Sequence, residues 1–354
     1  MIVKNEEKVL GRVLESAKKF ADEIIIVDTG STDKTKDIAK AFTDKIFDFK
    51  WIDDFAAARN YSFSLAEKDY VMWLDADDVI TDTDVQKMTK LKEKLETDKA
   101  DAVFCPYVAA TDGDGKPIFT YYRERVLKRE TCPKWEGFIH ECIAAKGKII
   151  YDDFTVYHRK SEEKSEAQKD RNLLIFIKNI ARGAKLTPRD NFYYGRELYY
   201  NGMYDEALAV LERGLDRKEL STANAVESCK IISYCLSQKG DGHSALNALF
   251  KSFSFGEPRS SVLCRIGEIF KENKEYKTAI FWYKAALLSA DHAKDGDFEL
   301  PETREIIPLI ELCYCYYKIG DIKAALYYHG RAKEVSPAHP SVIYNDKFFK
   351  NNGL

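Results

Sequence analysis

Tyr70-Val71-Met72-Trp73-Leu74-Asp75-Ala76-Asp77-Asp78 decides the fold. Five apolar or aromatic residues run straight into three carboxylates. A short run of this kind reads as a buried strand. Carboxylates at the C-terminal end of such a strand sit where open α/β sheets take their ligands. Three acids this close repel one another unless a cation holds them. Oxygen ligands suit Mg²⁺ or Mn²⁺, ions that also bind substrate phosphates. The competing reading is a solvated loop capping a helix that starts near Thr81, because short Asp runs are common in turns.

Upstream, the chain alternates strand and helix. Ile2-Val3 is a strand fragment, and Asn5 with Glu6 and Glu7 predicts a capped helix start. Val9, Leu10, Val13, Leu14 and Ala17 follow at helical spacing. Residues 24–27 form a second strand ending in Asp28-Thr29-Gly30-Ser31-Thr32-Asp33, with Ser31 or Thr32 as the next cap. Residues 46–49 form a third strand, and residues 54–60 open a third helix. This order predicts a parallel sheet of the doubly wound type, with unbroken apolar strands buried on both faces. Three strand ends, after Val3, Val27 and Leu74, then converge on one rim. Neither G-x-G-x-x-G nor a P-loop occurs, so neither standard phosphate cradle applies. Asp28 is placed to accept hydrogen bonds from a base or ribose, or simply to form an Asx turn. Arg59 sits at an alanine-rich helix start, where it can meet a phosphate or a uracil edge, or pair with Asp53 or Asp54.

Beyond residue 100 the pattern changes. Residues 102–108 and 118–127 predict antiparallel strands joined by Thr111-Asp112-Gly113-Asp114-Gly115-Lys116-Pro117. Arg125, Lys128, Arg129 and Lys134 form a basic cluster. In Gly137-Phe138-Ile139-His140-Glu141, a carboxylate beside a pocket wall suits a general base. His158 ends a short strand, either completing a metal site or capping the domain.

Residues 1–7, 22–33, 53–60, 73–78 and 137–141, in this order, resemble family-2 glycosyltransferases of the GT-A fold. The subgroup is a bacterial one with a C-terminal tetratricopeptide tail, and it includes bacteriocin-peptide glycosyltransferases. The resemblance implies an inverting transfer of a sugar from a UDP-sugar donor, with Mn²⁺ or Mg²⁺ as cofactor. It implies that Asp75-Ala76-Asp77 is the D-x-D motif, with Asp77 the main metal ligand and Asp75 near the ribose or metal. His158 then lies near the diphosphate and metal, Glu141 is the base, and Asn5, Glu6, Asp28 and Arg59 serve the nucleotide. Residues 123–134 add positive charge for the leaving diphosphate. His140 supports these groups from behind at most, and Asp78 shapes the turn.

The 354 residues suit two to three domains. The division expected is an enzyme domain over 1–160, a linker helix over 161–186 and a helical repeat domain over 187–354. Ala207, Ala245, Ala279 and Ala325 recur at spacings of 38, 34 and 46, near the 34-residue tetratricopeptide period. Such a tail binds peptides on its concave face, so a peptide or protein acceptor and a homo-oligomer are both expected partners. A net charge of −3 argues against nucleic acid. Eight cysteines without a C-x-x-C pair indicate a reducing, cytoplasmic location. No apolar run approaches the roughly 18 residues of a membrane span.

The family carries several more strand residues ahead of Met1, so the first, central strand is short here. Either this start is late or this member tolerates a stub. If residues are missing, restoring an upstream extension raises the melting temperature in thermal unfolding; an unchanged value rejects the idea.

Overall fold

Short apolar runs become strands and the amphipathic stretches between them become helices, in the order expected. The computed structural model describes residues 1–111, 115, 117–159, 170–217, 219–290, 298 and 300–354. They fall into two compact units, Met1–Glu197 and Leu198–Leu354. The first unit therefore takes in the expected linker and most of the helix after it. The hairpin tip at 112–114 and 116, the linker residues 161–169 and much of the 291–302 loop lie outside the described residues.

The first unit begins β1 (Ile2–Val3), α1 (Leu10–Ala17), β2 (Ile26–Asp28), α2 (Thr35–Lys40), β3 (Ile46–Asp48), α3 (Phe55–Ser64) and β4 (Tyr70–Met72). It continues β5 (Asp78–Val79), α4 (Asp82–Asp98), β6 (Ala102–Thr111), β7 (Pro117–Lys128), β8 (Trp135–Glu136), β9 (Cys142–Ile143), β10 (Ile149–Tyr151) and β11 (Val156–His158). Then comes α5 (Arg171–Ala181), and α6 (Pro188–Tyr200) crosses into the second unit. Strands β1-β2-β3 form a parallel sheet. The second sheet, β4-β7-β6-β11-β5 with β10 also on β6, is mixed. Its β6–β7 ladder is the long antiparallel hairpin expected from the sequence. Leu10, Val13 and Leu14 of α1, Met88 and Leu91 of α4, and Val103 and Val126 of the hairpin share one core. The repeated apolar spacing of α1 and α4 exists to cover this sheet.

Two local expectations are corrected. Asn5 does not cap α1: it takes a left-handed φ of 54°, and α1 starts at Leu10 without a side-chain cap. Its side chain instead accepts from the Thr32 N–H at 2.8 Å, tying the end of β1 to the loop after β2. Nor does β1 occupy the centre of one continuous sheet. Among the described residues it pairs with β2 alone. The Met1 ammonium donates to Ile25 O at 2.9 Å and to Ser62 Oγ at 3.4 Å. Burial, and then the charge of Arg59, push this amine down to about 5. Beyond it lies a cavity of about 550 Å³, lined by Leu14, Phe20, Ile25, Met72 and Leu91 among others.

The second unit continues α6 with α7 (Tyr204–Asp216), α8 (Thr222–Gln238), α9 (Gly242–Lys251), α10 (Ser260–Glu272), α11 (Tyr276–Leu287), α12 (Ile306–Lys318), α13 (Ile322–Val335) and α14 (Pro340–Asn351). The four recurring alanines fall on α7, α9, α11 and α13, and each is fully buried. The turn before each of those helices repeats one bond. Met203, Asp241, Glu275 and Asp321 each donate N–H to the carbonyl five residues back, at 2.9–3.0 Å. This 6→1 closure needs a left-handed residue just before it. Gly202, Gly240, Lys274 and Gly320 supply it. Four equal turns feeding four equal packing alanines make a tetratricopeptide-like solenoid. The eight cysteines are all free thiols, five of them fully or nearly fully buried in helices of this unit. No helix among the described residues is long and apolar enough to cross a membrane.

Because Ala279 has no free space around it, Ala279→Leu overpacks the α10–α11 crossing. A loss of about 1–3 kcal/mol in urea unfolding is expected; an unchanged midpoint would refute the assignment of this position.

Candidate active site

The site is built on a buried ion pair. A register shift between Val103 and Phe104 leaves Arg125 as the extra residue of β7. Such a bulge re-aims a side chain. Glu124 and Arg125 are consecutive and both buried. Arg125 is fully enclosed, its guanidinium 3.6 Å from the Trp73 ring centroid and 4.5 Å from that of Tyr107. It donates to Trp73 O at 3.1 Å and to Asp78 Oδ2 at 2.9 Å. The same Asp78 oxygen accepts from the Asp75 N–H at 2.9 Å, closing the turn of the acidic run. Burial pushes the Asp78 carboxyl up, against the pull of Arg125. Asp78 therefore shapes the turn, as expected. Arg125 does not belong to an exposed basic cluster. Lys128 pairs with Glu130, and Arg129 donates to Lys68 O, so these cations are spent elsewhere.

That turn presents Asp77 to a strand from the far end of the domain. β11 runs antiparallel to β5, with His158 opposite Asp78. One ligand atom each of Asp77, Asp78 and His158 then lie within 4.8 Å of one another. His158 Nδ1 is 3.3 Å from Asp77 Oδ1 but is not aligned as a hydrogen bond. Both His158 Nδ1 and Asp78 Oδ1 are buried without a partner. Two carboxylates and an imidazole with two orphaned ligand atoms fit a divalent cation. The sequence points to Asp77 and His158 for a metal and to Asp78 for the turn; the fold brings all three together, with Asp78 held by Arg125, 47 residues away. The backbone carbonyl of Asp77 is also held, accepting from Arg12 Nη2 at 3.2 Å and from the Arg159 N–H at 3.0 Å.

Arg59 joins the acidic turn to the Gly137–Glu141 loop. It does not pair with Asp53 or Asp54. Asp54 caps α3 by accepting from the Ala57 N–H, and Asp53 pairs with Lys178 and Arg182. Arg59 instead lies against the rings of both Trp73 and Trp135, 5.1 and 4.8 Å from their centroids. From there it donates to Asp75 Oδ1 at 2.7 Å and to Glu141 Oε1 at 2.5 Å. Burial is the largest influence and acts to raise the Asp75 pKa, but the charges of Arg59, Arg125 and Arg123 and the Arg59 hydrogen bond together outweigh it and hold the carboxyl down at about 2. Glu141 ends the loop between β8 and β9, which are paired antiparallel. Asn60 clamps β8 to α3 by exchanging two hydrogen bonds with the backbone of Trp135, at 2.8 and 2.9 Å.

The nucleotide-side residues divide. Asp28 forms the Asx turn, accepting at Oδ1 from the N–H groups of Gly30 and Ser31 at 2.9 Å. Its Oδ2 is buried without a partner. Glu6 faces Asp77, Asp33 and Asp75; burial first, then these charges, push its carboxyl up to about 7. The ends of β1, β2 and β4 thus meet at one rim, where Asn5, Glu6, Asp75 and Asp77 gather.

Residues 1–165 match the family model described as glycosyl transferase family 2. The N-terminal unit carries a family 2 glycosyltransferase domain. The SPbeta prophage-derived glycosyltransferase SunS of Bacillus subtilis (strain 168) is 29% identical over 224 residues, 61% of this chain and 52% of that protein. The chain thus spans about half the length of that curated relative. A TPR repeat-containing protein of Synechococcus elongatus is 39% identical over 100 residues, 28% of this chain and 24% of its own length. Among solved structures, YrrB, described as a TPR protein with an unusual peptide-binding site, aligns at 15% identity with a TM-score of 0.37. The alignment covers 51% of this chain and 84% of that one.

In the family 2 domain, Arg125→Met removes the cation but leaves Asp78 buried and the turn unsupported. Breaking one partner of a buried pair costs about 3–5 kcal/mol. Chemical denaturation is expected to show a loss of that size, and a loss below 1 kcal/mol would contradict the role given to the pair.

Proposed function

We propose that this chain moves a sugar, a hexose carried by UDP, onto a side chain of a peptide or protein, with inversion at the anomeric carbon. The observation that carries this reading is the Arg59 bridge. One buried guanidinium ties Asp75 of the acidic turn to Glu141. The candidate base and the candidate donor site are therefore parts of one rigid unit. The family 2 match and the similarity to SunS support the reaction class.

Asp77, Asp78 and His158 would hold Mn²⁺ or Mg²⁺. When bound, that ion supplies positive charge for the leaving diphosphate. Glu6, Asn5 and the unpartnered Oδ2 of Asp28 line the nucleotide side. Glu141 has one oxygen held by Arg59, and its Oε2 is the oxygen left to face an acceptor. The acceptor oxygen or sulfur forms a bond to the anomeric carbon as that carbon's bond to the phosphate oxygen breaks. The electron pair leaves with UDP, and the acceptor proton passes to Glu141. Arg59 keeps the carboxylate aimed, so no residue has to be ordered as the reaction starts. No covalent intermediate on the protein is needed for inversion. The helical second unit is the acceptor-docking part in this reading, because stacked helix pairs offer a concave surface suited to an extended chain. The free, mostly buried thiols fit work in the cytoplasm.

The test is donor turnover and transfer with UDP-hexoses in the presence of Mn²⁺ or Mg²⁺. Asp77→Ala should lower turnover at least 100-fold. Glu141→Gln should leave donor affinity within about threefold while reducing transfer at least 100-fold. Full turnover by Asp77→Ala would overturn the metal assignment, and full transfer by Glu141→Gln would overturn the base.

A further inference from the structure

The loop that ends in Glu141 is held from behind by residues outside the matched family segment, which stops at residue 165. His140, directly before Glu141, has a φ of +54°. Left-handed φ is uncommon outside glycine, although His takes it more readily than most residues, and here the surroundings favour it. Those surroundings come from α6, whose residues 188–197 belong to the first unit. The His140 imidazole Nε2 lies 2.8 Å from Glu197 Oε1. A carboxylate only accepts, so toward Glu197 the proton sits on Nε2; Arg196 Nη2 lies farther from the same nitrogen, at 3.5 Å. Glu197 is itself buried and also accepts from Asn172 Nδ2 of α5 at 3.3 Å. The imidazole stacks on the Tyr193 ring, with centroids 4.4 Å apart and planes 19° apart. Arg189 Nη2 donates to His140 O at 3.3 Å and to Tyr193 Oη at 3.1 Å. On the opposite side, Phe138 O accepts from the Phe55 N–H at 2.9 Å, at the first residue of the helix that carries Arg59. The loop is thus fixed on two sides: by α3, which holds the Glu141 carboxylate, and by α6, which holds the backbone beside it.

We propose that Glu197 is a positioning residue, which acts through His140, with Arg189 on the His140 carbonyl, to set the Glu141 carboxylate in the geometry for proton removal. The hydrogen bonds described for Glu197 go to His140 and Asn172, neither of which belongs to the donor side. The helix after the matched domain is accordingly part of the catalytic fold, and not only the start of a docking tail. This inference rests on the proposed transfer reaction, with Glu141 as its base.

The test uses the full chain with two substitutions at one site. Glu197→Ala removes the acceptor of the imidazole N–H; Glu197→Gln keeps an oxygen there. For Glu197→Ala, kcat for transfer should fall at least tenfold with the donor KM within twofold of wild type. Glu197→Gln should stay within threefold in kcat. Hydrogen exchange supplies a readout that does not need activity. The peptide spanning β8 and β9 should exchange faster in Glu197→Ala and not in Glu197→Gln, with the 70–79 segment unchanged in both. Should Glu197→Ala fail to fold, Arg189→Gln carries the same expectations. Wild-type kcat together with wild-type exchange over β8–β9 would overturn the proposal. So would a kcat loss with faster exchange spread over residues 1–165, since that marks general unfolding. A wild-type protein that turns over no nucleotide sugar would end the transfer reading, while the exchange comparison would still decide whether Glu197 holds the loop.

Discussion

Everything at this site depends on a charge that has been taken out of water. Arg125 and Asp78 are both fully buried, and in such a place neither is tolerable without the other. A buried pair is weak evidence for net stability, because desolvation offsets most of the attraction. It is better evidence for geometry. Arg125 has two hydrogen bonds to give on this side, and they go to Trp73 O and to Asp78. Both acceptors belong to the stretch that leads from β4 into the acidic turn. The pair therefore fixes how that stretch bends. The bend is what leaves Asp75 pointing toward Arg59 and Asp77 toward His158. An apolar core residue in place of Arg125 could fill the volume, but it could not specify the turn.

A second cation repeats the device closer to solvent. Arg59 is buried against two tryptophans, and burial alone would favour losing its proton. Two carboxylates outweigh that penalty and keep it charged. The two tryptophans are themselves in edge contact, 5.1 Å between centroids. Trp73 thus has the Arg125 guanidinium 3.6 Å from its ring centroid and that of Arg59 at 5.1 Å. Aromatic faces attract cations, and more strongly where water is excluded. The result is a stack of charge and ring that links β4, β7, α3 and β8, elements far apart in sequence. Asp75 and Glu141 are 66 positions apart and share one guanidinium.

This explains which parts of the molecule were legible in the sequence. Runs such as 70–74, and the alanines at 207, 245, 279 and 325, carry their meaning locally, through apolar content or period. The alternation of strands and helices and the helical second unit follow from them. Asp77, Glu141 and His158 stand in short motifs and were proposed from them. Arg125 was not, because its neighbours form an apparently regular strand. A bulge leaves no mark on a period-two pattern when the displaced residue is charged and lies next to another charged residue. Arg125 was accordingly grouped with Lys128, Arg129 and Lys134 as one basic cluster. Asp78 was credited with the turn but not with the cluster beside His158, since that cluster depends on β11 pairing with β5 across nearly 80 residues. Asn5 misled in the opposite direction. It is a favoured cap residue, but here its side chain is more useful across the sheet, on Thr32. Tertiary bonding overrode a local preference.

The same logic applies to the end of the catalytic unit. Motifs stop where recognisable residues stop, and here that is near His158. Compactness does not stop there. Asp53, at a left-handed φ of 61° just ahead of α3, is held by Lys178 and Arg182 and by Asn179, which donates to its carbonyl at 2.7 Å. Glu197 does the equivalent for the loop before Glu141. Both positions are strained or charged backbone sites that draw partners from beyond residue 165. α5 and α6 supply the missing partners. A folding unit is bounded by where its unsatisfied groups find partners, and by that criterion the catalytic unit extends through Glu197.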